Sequence, residues 1–425
     1  MSFNLNIKRI RSELLHDGES PADKDPHSQP RGEAPSGGAS VIGHLDADAF
    51  FASVQQAADP SLRGKAMAVG GRQRGIVASA SYEARKLGIY TPMPMAHALK
   101  LCPHLIVVPG DFQRFEQFSR FMFSFVYDFT PKVEVCSIDE GYYDLGGNHD
   151  IDPLEALATI QRNIEDRLKI TVSQGLGPNK IVSQIASKLR KPRGLIAVEP
   201  GEVRAFLNPL PLKHMHGLGP VAQKRLTENG LVTFEDLAEA TAEQLHSAFG
   251  GSGETWQALA RGIDPRPVQS HHGLAKSYGH QETFNTDSAD DDFLRNHLRR
   301  LVDKAVERMR EDGQAARTFH VRVRYKDMSE TERSQSLEEP GDLPEDFYGV
   351  AEALMKKAWT KRMPLRLVAF RLTNLYKALP PTDLFEQPNR ERREALQNVL
   401  TEVRSRFGKQ ALMRGHDVSL QNDCV

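Results

Sequence analysis

The sequence has few cysteines and no long apolar run. Its 425 residues include three cysteines, Cys102, Cys136 and Cys424, which lie far apart and in no metal-binding spacing. This argues against a disulfide-stapled fold or a structural zinc site, and it indicates a reducing cytosol. No segment approaches the roughly 20 apolar residues that cross a bilayer, and the N-terminus lacks the apolar region of a secretory signal. We therefore expect a cytoplasmic protein that does not engage a membrane.

The sequence also lacks a net charge of either sign. Its 55 basic and 56 acidic residues give a net charge of −1, which is unusual for a protein that binds nucleic acid. The basic residues are nevertheless grouped: segments 180–194, 317–326 and 361–377 contain five, four and five of them and no acid. One such run is usually a solvated face. Three runs in separate parts of the chain favour a long anionic partner.

Three carboxylates follow or end short apolar strands. Asp46 lies in HLDADAFF, and Asp139 and Glu140 are adjacent in SIDEGYYD. Two such strands side by side would place the acids around one small volume, where their repulsion calls for divalent metal. Two Mg²⁺ ions are typical of phosphoryl transfer, with Asp46 and Asp139 bridging, Glu140 on the hydroxyl-activating metal and the carbonyl of Ala47 as a further ligand. Either motif alone is more often a solvent-facing loop.

The pattern changes several times along the chain. Residues 1–40 are rich in Ser, Pro, Gly and charge, and we predict a disordered extension. Residues 41–180 alternate strands and helices around one sheet, and residues 181–262 are helical with glycine turns. A smaller α+β region begins near residue 275, and a charged helix follows at 386–415.

Five segments together resemble the Y-family DNA polymerases, specifically the DinB branch. They are HLDADAFFASV, RGKAMAVGG, GIVASASYEARKLGI, SIDEGYYD and NKIVSQIASKLRKPRG. The resemblance implies an α+β multidomain fold: a right hand of palm, fingers and helical thumb with a helix-hairpin-helix, plus an α+β little finger. The implied boundaries are 41–50 and 113–186 for the palm, 51–112 for the fingers, 187–262 for the thumb, 263–274 for a linker, 275–380 for the little finger and 381–425 for a tail.

The resemblance also implies roles for single residues around the nucleotide. Asp46, Asp139 and Glu140 match the catalytic acids. Phe51 matches an aromatic steric gate, whose flat ring leaves no room for a ribose 2′-hydroxyl; the alternative is that Phe50 and Phe51 are both core. The positions that match triphosphate-binding residues are Ser79, Tyr82, Arg85 and Lys180.

Two further features imply contacts with duplex DNA. Gly217 and Gly219 in HGLGP resemble a helix-hairpin-helix, whose backbone N–H groups hold phosphates without reading sequence. An ordinary glycine turn between helices is the competing interpretation. The alternation of a predicted strand puts Arg322, Arg324 and Lys326 on one face, where they can lie along the DNA backbone.

A short segment at 381–385, PTDLF, resembles a sliding-clamp peptide with Leu384 and Phe385 as anchors. The usual leading glutamine is missing, and a local hydrophobic contact explains the segment equally well. Pro178 and Gly141 depart from the family pattern beside the site, which leaves the choice of damaged template open.

The metal site, gate and phosphate-binding positions thus predict a template-directed DNA polymerase, and the resemblance implies that it is a low-fidelity enzyme for translesion synthesis. It would add deoxynucleotides to a primer 3′-hydroxyl with two Mg²⁺ ions per site, for which Mn²⁺ can substitute, and without a proofreading exonuclease. The expected partners are primer–template DNA, dNTPs and the sliding clamp, with the chain a monomer. A non-catalytic adaptor in a mutasome and a two-metal nuclease are the alternatives.

Overall fold

The computed structural model describes residues 41–72, 74–147, 151–271, 273–377, 387–408 and 410–422. The predicted extension at 1–40 and the predicted clamp anchors Leu384 and Phe385 lie outside the described residues. Among the described helices, none is both long enough and apolar enough to cross a membrane.

The described residues form three sheets with helices between them. The strands are β1 (Ile42–Ala47), β2 (Met67–Val69), β3 (Ser79–Ala80), β4 (Ile106–Val108), β5 (Val133–Val135), β6 (Glu140–Asp144), β7 (Val172–Gly177), β8 (Leu195–Ala197), β9 (Tyr278–Ser288), β10 (Gln314–Tyr325), β11 (Glu330–Gly341) and β12 (Leu365–Lys377). The α-helices span Phe50–Ala58, Tyr82–Lys86, Met95–Leu101, Phe112–Tyr127, Pro153–Leu168, Lys180–Leu189, Val203–Leu207, Pro220–Glu228, Phe234–Ala238, Ala242–Phe249, Gly253–Ala260, Asp291–Glu311, Pro344–Ala358, Gln387–Phe407 and Gly415–Asn422.

The largest sheet has the strand order β5-β6-β1-β7-β8, with β1 in its middle and buried along its whole length. Side chains alternate between the two faces of a strand. Leu45 and Ala47 therefore join the core that contains helices Phe112–Tyr127 and Pro153–Leu168. His44 faces the other way and contacts Ser187 of helix Lys180–Leu189. The sheet is thus covered on both faces. The polar side chain of His44 on β1 faces helix Lys180–Leu189.

The helix Lys180–Leu189 begins at a well-formed cap and lies very close to the sheet. Asn179 is its N-cap, and its side-chain oxygen accepts a hydrogen bond from the Val182 N–H at 3.2 Å. Gly175 on β7 permits the close approach, because a Cβ atom there would come within 2.1 Å of the Ser183 carbonyl oxygen.

Three further cores lie outside the large sheet. A small sheet of order β3-β2-β4 packs with helices Tyr82–Lys86 and Met95–Leu101. Helices between residues 203 and 260 share a core with the apolar residues of helix Lys180–Leu189. The last sheet, of order β11-β10-β12-β9, has one face covered by helices Asp291–Glu311 and Pro344–Ala358.

Ion pairs join the C-terminal segment to the region that contains the last sheet. The predicted helix at 386–415 is shorter in the structure, Gln387–Phe407, and a second helix, Gly415–Asn422, follows it. Arg414 contacts Glu345 at 2.9 Å, and His416 contacts Asp303 at 2.8 Å.

Because the Gly175 contact is with backbone, we expect Gly175→Ala to push helix Lys180–Leu189 from the sheet. The free energy of unfolding should fall by about 1–3 kcal/mol, as for overpacked cores. Gly201→Ala is the matched control, because a Cβ atom there meets nothing within 4 Å. Urea denaturation of both variants checks this; equal midpoints would contradict the close-packing account.

Candidate active site

Asp46 and Glu140 are direct partners across the antiparallel pair of β1 and β6. Partner side chains stand on the same face, with Cβ atoms about 4.5–5.5 Å apart. Asp46 is 7% exposed, whereas Glu140 begins β6 and is partly exposed. The register of two strands therefore brings together two acids that are distant in sequence.

Asp139 lies beside this pair, and its carboxylate is engaged by Ser137. Its carbonyl oxygen accepts a hydrogen bond from the Ala47 N–H at 2.9 Å, and its Oδ1 accepts one from the Ser137 hydroxyl at 2.5 Å. The carboxylate oxygens of Asp46, Asp139 and Glu140 do not all lie within 4.8 Å of one another. Two of the three predicted acids are thus gathered, and the third is adjacent.

Two lysines carry the positive charges next to these acids. The Lys188 Nζ lies 2.9 Å from Glu140 Oε2 and 3.8 Å from Asp46 Oδ2. The Lys191 Nζ donates to Asp46 Oδ1 and lies 3.4 Å from the Ala47 carbonyl oxygen. The ammonium group of Lys188 therefore bridges Asp46 and Glu140.

Burial raises the pKa of Asp46 above its ordinary value, and the negative charge of Glu140 adds to the increase. The ammonium groups of Lys191 and Lys188 oppose that shift, because they favour the ionised carboxylate. The direction shows that burial outweighs the two lysines at this position.

Asp48 is a fourth acid at the site that the sequence analysis did not single out. It is fully buried, and its carboxylate accepts hydrogen bonds from the Ser173 hydroxyl and the Arg193 N–H, each at 2.8 Å. Lys191 lies 3.9 Å from it. The signal was present, because Asp48 is the second acid of the D-A-D in HLDADAFF.

The donors at the site fit a hard divalent cation. Carboxylate and backbone carbonyl oxygens are the ligands that Mg²⁺ prefers. The oxygens of Asp46, Glu140 and the Ala47 carbonyl already bind cationic groups in this structure, the ammonium groups of Lys188 and Lys191. These residues, with Asp139 adjacent, are the ones that would hold such an ion.

Tyr82 and Arg85 share one side of a short helix next to the acids. The Arg85 guanidinium lies 5.0 Å from the centre of the Tyr82 ring, and its Nε donates to the Ala80 carbonyl at 3.0 Å. Burial, together with the charges of Asp48 and Asp46, raises the pKa of Tyr82 to about 12. The Tyr82 hydroxyl is buried and has no hydrogen-bond partner among the described residues. A phosphate oxygen would satisfy it.

Ser79 and Lys180, which match triphosphate-binding positions, are both buried. The Ser79 hydroxyl accepts a weak hydrogen bond from the Ala52 N–H at 3.4 Å and is buried. The Lys180 ammonium is paired with Glu134 and lies 5.1 Å from the centre of the Tyr142 ring. Lys180 is therefore paired within the protein and does not project freely towards a nucleotide.

Phe51 forms one wall of a pocket of about 220 Å³. Its ring stacks on Phe115 with centres 4.4 Å apart, and Phe112 meets it edge-on at 5.9 Å. Phe50, in contrast, is 3% exposed and belongs to the core.

The predicted DNA-binding residues lie at the surface of the helical region and of the last sheet. Gly217 has φ of 90°, a conformation that favours glycine, and Gly219 is the N-cap of helix Pro220–Glu228. Arg322 and Arg324 lie on the face of β10 away from the helices, and Lys326 is exposed just beyond the strand.

The described fold defines the class of protein. A sheet with acids on its central strands, a small αβ region on one side, a helical region and a separate α+β region form a right-hand polymerase with an added little-finger domain. Two family models match the chain: the impB/mucB/samB family over residues 45–188 and its C-terminal domain over residues 275–388.

Curated relatives and solved structures agree with this class. A DNA polymerase IV of Opitutus terrae is 42% identical over 89% of this chain and 97% of the relative, and DNA polymerase IV 1 of Bacillus subtilis is 34% identical over 88% and 92%. The Y-family chimera Dbh-Dpo4(243-245)-Dbh matches with a TM-score of 0.72 at 28% identity, covering 80% of this chain and all of that one. DinB from Sulfolobus solfataricus matches with a TM-score of 0.54 at 28% identity, covering 78% and 98%. The chain belongs to the Y-family DNA polymerases, in their DinB branch.

Proposed function

We propose that this chain is a translesion DNA polymerase whose chemistry is carried by Asp46, Asp139 and Glu140. The observation that carries the proposal is the cross-strand pairing of Asp46 with Glu140 beside Asp139. A non-catalytic adaptor is not favoured, because the acids that such a protein could lose are all present. A nuclease would leave the aromatic pocket at Phe51 and the buried Tyr82 hydroxyl without a role.

The acids of the chain would hold two Mg²⁺ ions, with the Ala47 carbonyl as a further ligand. Metal bound there supplies activation of the primer 3′-hydroxyl and neutralisation of the leaving pyrophosphate. Asp46 and Glu140 hold their negative charges in a fixed position, because both residues lie on neighbouring strands of one sheet. The Tyr82 hydroxyl and the Arg85 guanidinium then orient the triphosphate, and Arg suits that task because it donates two parallel N–H bonds.

Lys180 reaches a phosphate only if it leaves Glu134. We propose that the negative charge of an incoming triphosphate attracts the Lys180 ammonium group away from Glu134. The triphosphate would then interact favourably with both Lys180 and Arg85. The Ser79 hydroxyl, close to the start of helix Phe50–Ala58, is a weaker candidate for a phosphate contact.

The four hydrophobic cores support a proposal of four domains, although the helical core also includes Ile181, Val182, Ile185 and Ala186 from before the predicted thumb. We assign the large sheet to the palm, the small sheet to the fingers, the helices after residue 203 to the thumb, and residues after 275 to the little finger. Gly217 and Gly219 would hold the duplex backbone at the thumb. The location at the nucleoid, a monomeric state and clamp binding through Leu384 and Phe385 remain part of the proposal.

Primer extension tests the metal-site assignment. We expect Asp139→Ala and Glu140→Ala each to reduce templated dNTP incorporation at least about a hundredfold, because each removes preorganised negative charge from the reacting centre. Asp166→Ala, which removes an exposed acid of helix Pro153–Leu168, is the control. Full activity in either variant would sink the assignment.

Phe51→Ala should admit ribonucleotides. Loss of the ring opens room for one more oxygen, so the preference for dNTP over rNTP should fall at least about tenfold in kcat/KM. Phe112→Ala removes the neighbouring ring but keeps Phe51, and should retain the preference. Unchanged discrimination in Phe51→Ala would reject Phe51 as the gate.

The basic face of the last sheet is partly neutralised by its neighbour. Glu330 on β11 lies 3.3 Å from Arg322, and it accepts a hydrogen bond from Arg324 Nε at 2.6 Å. Exposed ion pairs are worth about 0.2–1 kcal/mol, so these arginines can exchange Glu330 for phosphate at low cost.

We therefore expect Glu330→Gln to tighten binding of primer–template DNA about two- to fivefold at low salt, because Arg322 and Arg324 lose their competing partner. The dependence of affinity on salt should become steeper, as it does when more phosphates are contacted. Glu338→Gln makes the same charge change at an exposed position of β11. Fluorescence anisotropy across a salt series measures both; equal effects of the two variants would argue against this basic face.

A further inference from the structure

Two ammonium groups contact the same oxygens that are proposed to bind metal. Lys188 bridges Glu140 and Asp46 at 2.9 and 3.8 Å, and Lys191 contacts Asp46 and the Ala47 carbonyl. Both lysines belong to the acid-free basic run 180–194, which with the two other basic runs favours a long anionic partner. The structure turns them inward, onto the acids.

The fold positions these lysines. Ser187, next to Lys188, hydrogen-bonds His44 Nδ1 at 2.8 Å, which docks the end of helix Lys180–Leu189 on β1. Lys191 follows the helix and also lies 3.9 Å from the buried Asp48. The lysine side chains are 35% and 23% exposed, so each has a route to solvent if it is displaced.

A divalent cation and these ammonium groups are mutually exclusive at close range. Like charges a few ångströms apart repel strongly where water is partly excluded. An oxygen whose lone pairs are engaged by an ammonium must also lose that hydrogen bond to ligate metal. Without either cation, however, buried carboxylates would be left uncompensated, which is strongly destabilising.

We propose that Lys188 and Lys191 are built-in counter-cations of the metal site, which hold the acids in the metal-free enzyme and must be displaced when a divalent ion binds. The inference rests on the proposed metal-dependent function and deepens it, since it makes metal affinity a quantity that the two lysines set. Displacing them costs free energy, so the metal-free enzyme binds divalent ions more weakly than the acids alone would.

Titration with Mn²⁺ alone, without DNA or nucleotide, tests the proposal on the full chain. Free Mn²⁺ is measured by electron paramagnetic resonance at pH 8. We expect Lys188→Met to lower the Kd for Mn²⁺ at least about fivefold, the lower end of typical coupling between competing sites. Arg190→Met is the matched control, because it removes an exposed positive charge from the same segment. Its Kd should stay near that of the wild type.

Two further variants separate charge from packing. Lys188→Arg keeps the positive charge and should bind Mn²⁺ like the wild type; a Kd as low as that of Lys188→Met would overturn the counter-cation role. The double variant Asp46→Asn, Glu140→Gln removes the proposed metal site. Any Mn²⁺ that it still binds, for example at Asp303 and His416, is bound elsewhere and is subtracted from the titrations.

Thermal unfolding supplies a second readout. Lys188→Met should melt below the wild type without metal, and Mn²⁺ should raise its Tm by more than it raises that of the wild type, because tighter ligands stabilise more. Lys188→Gln repeats both measurements if the methionine variant has no cooperative transition.

Equal Mn²⁺ affinities in Lys188→Met and Arg190→Met would overturn the inference. Primer extension by the wild-type chain, run in parallel, keeps the two claims apart. If the wild type extends the primer and Lys188→Met binds Mn²⁺ no more tightly than the wild type, only the counter-cation role is rejected. Tightened Mn²⁺ binding without extension by the wild type rejects the proposed polymerase function alone.

Discussion

The antiparallel register of β1 and β6 is the constraint on which the site depends. It places Asp46 opposite Glu140 on a buried sheet, where two negative charges could not stay together without compensation. Lys188 and Lys191 supply that compensation, and both come from one segment, the end of helix Lys180–Leu189 and the turn after it. A slip of the register by one residue would turn the acids to opposite faces.

The position of that helix is in turn fixed by features of the sheet beneath it. Gly175 lets the helix backbone approach β7, Asn179 caps its first turn, and His44 holds Ser187. The same helix begins with Lys180, whose ammonium is paired with Glu134. Glu134 also accepts a hydrogen bond from the Gln269 N–H at 2.6 Å, in the segment between the helical region and the last sheet. One helix therefore links the acids, a candidate phosphate ligand and the connection to the C-terminal region.

Much of the fold was predictable because it follows from local pattern and motif. The short apolar strands predicted beside Asp46 and Glu140 are present as β1 and β6, although Glu140 begins its strand. The fold class inferred from the five motifs is confirmed by the solved relatives. The partners of charged residues were not predictable in the same way. The basic run that contains Lys188 and Lys191 favours an external anionic partner, because the sequence shows the spacing of these lysines but not the strand face that they meet. Glu330 neutralises Arg322 and Arg324 only through the register of β10 with β11.

The most direct test is a crystal structure of the chain with primer–template DNA, a non-hydrolysable dNTP and Mn²⁺, with the metal located by its anomalous scattering. The account predicts Mn²⁺ ligated by Asp46 and Glu140, with Lys188 and Lys191 withdrawn from their carboxylates. Asp303, His416 and Asp417 form another group of candidate metal ligands in the described part of the chain. Anomalous density at that group, with both lysines still on Asp46 and Glu140 and no metal beside them, would contradict the account.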